Sequence, residues 1–248
     1  MIILKSKDEV AKMREAGRLV ALAHGELEKV IAPGISTKEL DSIVEKFLEG
    51  CGATPAFKGY HGFPASICVA INDQVVHGIP GDHKLEMGDI VGIDIGVLVD
   101  GYYGDAARTY PVGQVSREGE RLIDITREAL WRGIGESVVG NRLSDVSHAI
   151  QCCVEQGGFS VVRDFVGHGI GRAMHEEPQV PNFGEPGHGP RLKPGMTLAL
   201  EPMVTTGHHD VMVLADGWTV VTRDSSLSAH FEHTICVSED GPLVLTEA

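Results

Sequence analysis

The sequence lacks an excess of basic residues. It contains 21 lysines and arginines against 35 aspartates and glutamates, which gives a formal net charge of −14 at pH 7. Proteins that bind nucleic acid or anionic membranes concentrate lysine and arginine on the contact surface, because phosphate groups are negatively charged. The charge balance therefore predicts no direct nucleic-acid partner and no membrane partner.

The sequence also lacks a disulfide framework, a thiolate metal motif and a long apolar run. Its five cysteines are odd in number, and none shows C-x-x-C spacing. The apolar start MIIL ends at Lys5, and no later run approaches the ~20 apolar residues that a membrane-spanning helix needs. These absences predict a cytoplasmic protein that is neither secreted nor membrane-spanning.

Two capping boxes mark the starts of two helices near the N-terminus. Ser6 with Glu9, and Ser36 with Glu39, have the spacing at which each side chain caps the backbone of the other residue. Apolar residues then recur at helical spacing, and the Pro-Gly pair at 33–34 stops the first run. The pattern predicts two amphipathic helices, one after the other.

The same order begins again in the second half. Apolar residues from Leu122 to Ile134 predict a third helix, and Ser144 is the predicted N-cap of a fourth helix that ends near Gly157. Strand patterns follow each helix pair in the runs SICVAI (66–71), DIVGIDIGVLV (89–99), YYGDAARTYPV (102–112), FSVVRDFV (159–166), MTLALEPMV (196–204), WTVVT (218–222) and HFEHTICV (230–237).

The two halves also match residue by residue at a single shift of 107 positions. The shift places Asp94 on Glu201, Gly88 on Gly195, His61-Gly62 on His168-Gly169, Ile43 on Ile150 and Gly50 on Gly157. Such a set indicates a duplicated helix-helix-sheet unit. We expect one domain over residues 1–248, with halves of about 1–115 and 116–248 whose acidic strands face each other across a central site.

The stretch VGIDIGVLVDGYYGDAARTY (91–110) reads as a hairpin with two aspartates in apolar strands. If Asp100-Gly101 forms the turn, Gly96 lies opposite Asp105, and Asp94 becomes a diagonal neighbour of Asp105 on the same face. Two buried like charges need a proton, a cationic side chain or a metal ion nearby. The alternative is that both aspartates face solvent on an edge hairpin.

Further acids and histidines occur in similar surroundings. Glu201 and Glu232 each stand alone in an apolar run, and His168 lies between two glycines. Exposed glutamates and a turn or core histidine are the alternatives, which hold equally for His77 and His175. Four carboxylates with one imidazole would suit two divalent ions, and oxygen ligands favour Mn, Fe or Co over a thiolate-type structural zinc.

Five segments resemble the type I methionine aminopeptidases, and the likeness covers nearly the whole chain. These segments are NDQVVHGIP (72–80), GDIVGIDIGVLVDGYYGDAARTYPVG (88–113), GHGIGRAMHEEPQVPNFG (167–184), LKPGMTLALEPMV (192–204) and DGWTVVTRDSSLSAHFEHTICV (216–237). The resemblance implies an α+β fold of the "pita-bread" type, in which duplicated, pseudo-twofold halves enclose a central antiparallel sheet.

The resemblance also implies a ligand set for two divalent ions. Asp94 resembles a ligand of one ion, His168 and Glu201 resemble ligands of the other, and Asp105 and Glu232 resemble the bridging carboxylates. Co, Mn, Fe or Zn could fill such a site, and the resemblance does not choose among them. Glu201 would also handle the proton of the attacking water.

Substrate-contacting residues follow from the same likeness. His175 resembles a residue that hydrogen-bonds the substrate carbonyl or the oxyanion, and His77 one that contacts the scissile amide. The walls of a methionine pocket would be Phe57, Tyr60, Phe63, Cys68, His77, Met174 and Trp218. Cys68 is a wall of the pocket in this interpretation and not a nucleophile.

The implied function is hydrolytic removal of the initiator methionine from nascent proteins and peptides with a small second residue. Hydroxide held at a dinuclear metal centre would attack the peptide carbonyl. We expect a monomer, and ribosome contact stays open. One alternative is a related aminopeptidase P or prolidase, whose chains usually carry an extra N-terminal domain. The other is a catalytically dead module of the same fold, although no ligand position is lost here.

Overall fold

The computed structural model describes residues 1–248 and contains four α-helices. They are α1 (Lys7–Glu28), α2 (Thr37–Gly50), α3 (Arg117–Glu136) and α4 (Leu143–Gln156), and a short 3-10 helix spans Tyr60–Gly62. No helix combines the length and the apolar character needed to cross a bilayer.

Fifteen strands complete the fold. They are β1 (Thr54–Pro55), β2 (Cys68–Ile71), β3 (Gln74–Val76), β4 (Ile90–Val99), β5 (Tyr102–Pro111), β6 (Ser160–Val161), β7 (Gly167–Gly169), β8 (Glu176–Val180), β9 (Thr197–Leu200), β10 (Met203–Thr205), β11 (Val211–Val213), β12 (Val220–Thr222), β13 (Ser228–His230), β14 (His233–Cys236) and β15 (Leu243–Val244).

Both predicted capping boxes are present. Ser6 and Glu9 cap α1, and Ser36 and Glu39 cap α2, with the side chain of each partner bonded to the backbone of the other. The predicted N-cap of α4 was wrong. The helix begins two residues earlier, because Arg142 is the N-cap and the Asp145 carboxylate accepts its backbone N–H. Ser144 lies in the first turn, where its hydroxyl accepts the N–H of His188.

All strand pairings are antiparallel, but the predicted central sheet is divided into four pieces. One sheet has the order β1-β4-β2 with β5 on β4, and a five-stranded sheet has the order β15-β14-β9-β7-β8. The other two sheets have three strands each, in the orders β13-β10-β6 and β11-β12-β3. Buried side chains of α1 and α2 pack on β4, while those of α3 and α4 pack on β9, β10 and β14. Each half therefore has its own helix-on-sheet core.

The two halves repeat the same local contacts. In the first half, the Gly34 N–H donates to the Leu85 carbonyl, and an isolated β-bridge joins Ser36 to Lys84. In the second half, the equivalent bond runs from Gly140 to Leu192, and the equivalent bridge joins Arg142 to Arg191. The repeated bonds agree with the duplication that the sequence predicts.

The hairpin of β4 and β5 has the predicted register. Gly96 lies opposite Asp105, and Asp94 lies opposite Ala107, without a bulge along the ten residue pairs. Asp100 and Gly101 form the turn with φ of 50° and 77°, the positive values that a type I′ turn requires. Asp94 and Asp105 are therefore diagonal neighbours on one face.

Two predicted strand runs are broken at their glutamates. The run 196–204 divides into β9 and β10 around Glu201, and the run 230–237 divides into β13 and β14 around Glu232. Because β9 pairs with β14 and β10 pairs with β13, both breaks occur at the same level between two sheets. The break places both glutamates at the junction between the sheets.

A close approach of backbones fixes α1 against the rest of the fold. A Cβ at Gly17 would lie 2.2 Å from the Leu245 carbonyl oxygen, and a Cβ at Gly104 would lie 2.7 Å from the Gly17 nitrogen. Such separations are far below van der Waals contact, so α1, β5 and the C-terminal segment meet only because these positions are glycine.

We expect Gly17→Ala to lower the free energy of unfolding by about 2 kcal/mol, because the added methyl group must push the C-terminal backbone away. Gly25→Ala in the same helix is the matched control, since a Cβ at Gly25 would have no neighbour within 4 Å. That control should raise stability by up to about 1 kcal/mol, as alanine favours helix. Urea unfolding measures both, and equal effects of the two changes would contradict the packing argument.

Candidate metal centre

A cavity of about 220 Å³ contains every residue predicted for the site. It is lined by Phe57, Tyr60, His61, Phe63, Cys68, His77, Asp94, Asp105, His168, Met174, His175, Glu201, Trp218 and Glu232. Only His61 in this set was absent from the prediction. Carboxylates and imidazoles from both halves of the chain therefore converge on one space.

Two of the four carboxylates are buried and the other two half-buried, and three of them have an oxygen without a partner. Asp105 and Glu232 are only 4% and 2% exposed, so the solvent-facing alternative is wrong for both. One oxygen each of Asp94, Asp105 and Glu232 is buried without any hydrogen-bond partner. Leaving a buried polar group unpaired costs roughly 1–3 kcal/mol, and more when the group is charged. A cation at this position would offset that cost.

The donor atoms lie close enough to share a metal ion. Ligand atoms of Asp105, His168 and Glu232 are all within 4.8 Å of one another. Carboxylate oxygens with an imidazole nitrogen are a donor set for divalent ions such as Mn, Fe, Co or Zn. The unpartnered oxygens and this donor set together fit divalent metal.

Without metal, burial sets the proton affinities of these acids. Burial raises the pKa of Asp94 well above its usual range, and the neighbouring charges of Asp105 and Glu201 add to the shift. Burial likewise raises the pKa of Asp105 to about 7. The pKa values of Glu201 and Glu232 are raised well above normal by burial and then by the charge of Asp105. The cluster therefore holds protons unless a cation replaces them.

Backbone hydrogen bonds hold the acids in place across the two halves. The Asp105 N–H donates to the Thr234 hydroxyl at 3.0 Å, and that hydroxyl donates to the Asp105 carbonyl at 2.8 Å. The Glu232 N–H donates to the Ala107 carbonyl, and the Asn182 amide donates to the Glu201 carbonyl. Because the bonds of Asp105 and Glu232 join β5 to the second half, the positions of these two acids depend on how the halves dock.

His168 is held as a neutral imidazole. Its Nδ1 lies 2.9 Å from the Gly169 carbonyl, and since a carbonyl only accepts, Nδ1 carries the proton. Its Nε2 is then a free lone pair, 3.6 Å from the Glu201 carboxylate. Burial lowers the pKa of His168 to about 4, with a further contribution from His175.

The two other predicted histidines stand beside the acids. The His175 ring contacts the His168 ring with centroids 4.2 Å apart and planes inclined by 56°, and its Nδ1 lies 2.7 Å from the Tyr60 hydroxyl. His77 has a positive φ of 59°, and its ring meets Phe165 edge to face. Burial lowers the pKa of both histidines, so each is neutral near pH 7.

An apolar wall closes one side of the cavity. Phe57, Phe63, Cys68 and Met174 belong to one buried cluster, and Trp218 packs edge to face on Phe63 at 5.1 Å. Burial and nearby carboxylates raise the pKa of the Cys68 thiol well above normal, which keeps it protonated. The cavity therefore joins an acidic end to an aromatic and sulfur-lined end.

Two histidines near the site were missed by the sequence reasoning. His61 lines the cavity with a φ of 48°, and His230 places its unpaired Nε2 3.8 Å from Glu201. The repeat contained a signal for His61, because it aligns that residue with His168. His230 is one of several histidines in its run, and nothing in the local pattern distinguishes it.

Comparisons with known proteins agree with this geometry. A family model described as "Metallopeptidase family M24" matches residues 11–239. Methionine aminopeptidase 1 of Bacillus subtilis is 57% identical over 246 residues, which cover 99% of each chain. The crystal structure of methionine aminopeptidase from Thermotoga maritima superposes with a TM-score of 0.98 at 48% identity and full coverage of both chains.

A more distant neighbour supports the fold assignment. The prolidase from Pyrococcus horikoshii superposes with a TM-score of 0.80 at 22% identity, and the match covers 64% of that longer chain. The fold and the acidic site define a hydrolase of the pita-bread class, a metallopeptidase that binds divalent metal. Within that class, the chain belongs to the methionine aminopeptidases of metallopeptidase family M24. The predicted family, fold class and enzyme class are confirmed.

Proposed function

We propose that this metalloaminopeptidase removes the initiator methionine from nascent proteins and peptides that have a small second residue. The observation that carries the proposal is the single cavity in which buried carboxylates meet an apolar wall of aromatic rings and sulfur. At about 220 Å³ it is smaller than the ~300–1,000 Å³ typical of sites for drug-sized ligands. A space of this size suits one side chain, and methionine sulfur packs favourably on aromatic rings.

We assign the metal ligands as the resemblance implies. Asp94 would hold one divalent ion, His168 and Glu201 would hold a second, and Asp105 and Glu232 would bridge them. When bound, the ions supply Lewis acidity and lower the pKa of water toward neutrality. The unpaired oxygens of Asp94, Asp105 and Glu232 support this assignment. Co, Mn, Fe or Zn each match the donor set, and availability decides among them.

The chain's own groups then move protons and orient the peptide. Glu201 accepts a proton from the attacking water and returns it to the leaving amine. If the Tyr60 hydroxyl donates to Nδ1 of His175, the proton of that ring is on Nε2, where it can donate to the substrate carbonyl as negative charge develops. His77 lines the same cavity and would contact the scissile amide or its leaving nitrogen.

Tyr60→Phe should lower kcat for methionyl peptides about tenfold with little change in KM, because His175 loses the group that fixes its tautomer. Steady-state kinetics on a Met-Ala peptide measures the effect. Tyr103→Phe is the matched control, since Tyr103 packs against the same buried cluster but does not line the cavity. Equal losses in both variants would show a general packing effect and contradict the role given to Tyr60.

We propose further that residues 1–248 act as one catalytic domain and as a cytoplasmic monomer on nascent chains. Bonds between β5 and Thr234 support the single domain, because they tie one half's metal ligand to the other half. All five cysteines are unpaired, which suits a reducing compartment. Size-exclusion chromatography with light scattering tests the oligomeric state.

One assay tests the proposed activity. The metal-reconstituted protein should cleave Met-Ala-Ser faster than Met-Leu-Ser by on the order of 100-fold, and it should leave Xaa-Pro peptides intact. Cleavage of Xaa-Pro peptides without cleavage of Met-Ala-Ser would place the activity with the prolidases instead. Metal binding without any cleavage would favour a peptide-binding module.

A further inference from the structure

A second group of metal-ligand side chains lies on the surface, outside the central cavity. His208, His209 and Asp210 occupy the connection between β10 and β11, and none of them lines the cavity. One ligand atom from each residue lies within 4.8 Å of the other two.

The distances within this group match those between ligands of one ion. His208 Nδ1 lies 3.3 Å from one oxygen of the Asp210 carboxylate, and His209 Nε2 lies 3.6 Å from the other oxygen. Metal–ligand bonds of about 2.0–2.2 Å put two ligands of a tetrahedral ion roughly 3.3–3.6 Å apart. The two rings also stack, with centroids 4.2 Å apart and planes inclined by 32°, so both nitrogens are held near the same carboxylate.

The backbone that carries the group is fixed by hydrogen bonds. The His208 N–H donates to the Asp224 carboxylate at 2.7 Å, and the Thr205 hydroxyl donates to the carbonyls of Gly207 and His208. The Arg223 N–H donates to the Asp210 carbonyl at 3.0 Å. Because both ends of the connection are tied down, less conformational freedom is lost when an ion binds.

We propose that His208, His209 and Asp210 form a separate surface site for one borderline divalent ion such as Zn²⁺ or Ni²⁺. Two imidazoles and one carboxylate are a donor set that such ions prefer over Mg²⁺ or Ca²⁺, which favour oxygen ligands. Three protein ligands leave a coordination position open to solvent, since His208 and Asp210 are exposed. Metal analysis of the full chain would then count one ion more than the central site holds.

Equilibrium dialysis of the full chain against Zn²⁺ tests the site. The double variant His208→Asn, His209→Asn should bind one equivalent of Zn²⁺ fewer than the parent, with hydrolysis of Met-Ala-Ser unchanged. Asp210→Asn should lower the affinity for that extra Zn²⁺ ion by roughly tenfold or more. His188→Asn is the matched control, because His188 is exposed and lies outside both metal groups.

A local measurement separates this site from the central one. In histidine-labelled protein, the ring NMR signals of His208 and His209 should shift at the Zn²⁺ concentration that fills the extra equivalent. Circular dichroism and thermal unfolding verify that the double variant keeps its fold. If that folded variant binds as many ions as the parent, or if the two ring signals do not move, the proposal is overturned.

Discussion

Asp105→Asn is expected to lower the rate of methionyl-peptide hydrolysis by roughly a thousandfold or more, as happens when a group that acts with others in a catalytic unit is removed. The amide keeps the size of the carboxylate, but it is neutral and presents N–H donors toward the other acids. If Asp105 bridges two ions as proposed, an amide in its place should weaken the binding of both ions. Peptide assays at saturating metal and metal analysis of the dialysed protein measure the two effects.

The same substitution should not weaken the fold of the metal-free protein. Asp105 is one of four carboxylates that line the cavity, and one of its buried oxygens has no hydrogen-bond partner, so its removal relieves repulsion. Asp145→Asn is the matched control, because its carboxylate caps α4 far from the cavity. It should cost about 1 kcal/mol of stability and leave activity and metal content intact. Full activity and full metal content in Asp105→Asn would show that the assigned role is wrong.

Removal of metal should make the stability of the protein fall steeply with rising pH. An acid whose pKa is raised in the folded state contributes stability that is fully present below its unfolded pKa and is lost as the pH rises through the folded value. Asp105 has its pKa raised to about 7, and Asp94, Glu201 and Glu232 are raised well above normal. As the pH rises above about 6.5, through the value of about 7 for Asp105 and on toward the raised values of the other three acids, the metal-free protein should lose roughly 2–4 °C or more of its Tm.

The buried histidines do not change the stability of the protein over this pH range. Burial lowers the pKa of His168 to about 4 and of His230 to about 3, so their stabilising contribution is present above about pH 6.5 and is lost only as the pH falls. Differential scanning fluorimetry with and without a chelator gives the comparison. Metal-loaded protein should keep its Tm over the same range, because the ions compensate the ionised carboxylates. Identical pH profiles for both forms would contradict a cluster of four carboxylates whose charge a cation neutralises.

The hairpin shows how much of the site was predictable from local sequence. Asp100 and Gly101 select a two-residue turn, and that turn alone sets the register that puts Asp94 and Asp105 on one face. The apolar flanks predict that this face is buried. Turn chemistry and burial are short-range signals, so the acidic half of the centre could be inferred from twenty residues.

The breaks at Glu201 and Glu232 could not be inferred in the same way. Each glutamate stands in a run that reads as one continuous strand, yet each run divides between two sheets. The division depends on pairing of β9 with β14 and of β10 with β13, which joins segments about thirty residues apart. Local propensity is weaker than such tertiary pairing, so strand boundaries are the part of the fold that the sequence predicts least well.

The predicted start of α4 was wrong for a related reason. Ser144 is a good N-cap residue by type, but the Asp145 carboxylate reaches back to the Arg142 N–H, and the Ser144 hydroxyl bonds His188 on a distant loop. Two side chains compete to cap one helix, and the long-range bond decides between them.

The docking of the C-terminal segment has a consequence for how the enzyme is made. The Leu245 N–H donates to the Thr234 carbonyl, and the Thr246 hydroxyl contacts the Thr234 N–H, while the Thr234 side chain holds the backbone of Asp105. A ribosome synthesises Asp105 long before these partners. During translation the hairpin therefore lacks the hydrogen bonds that hold Asp105 in place. Hydrolytic activity should appear only after residues through Thr246 have left the exit tunnel.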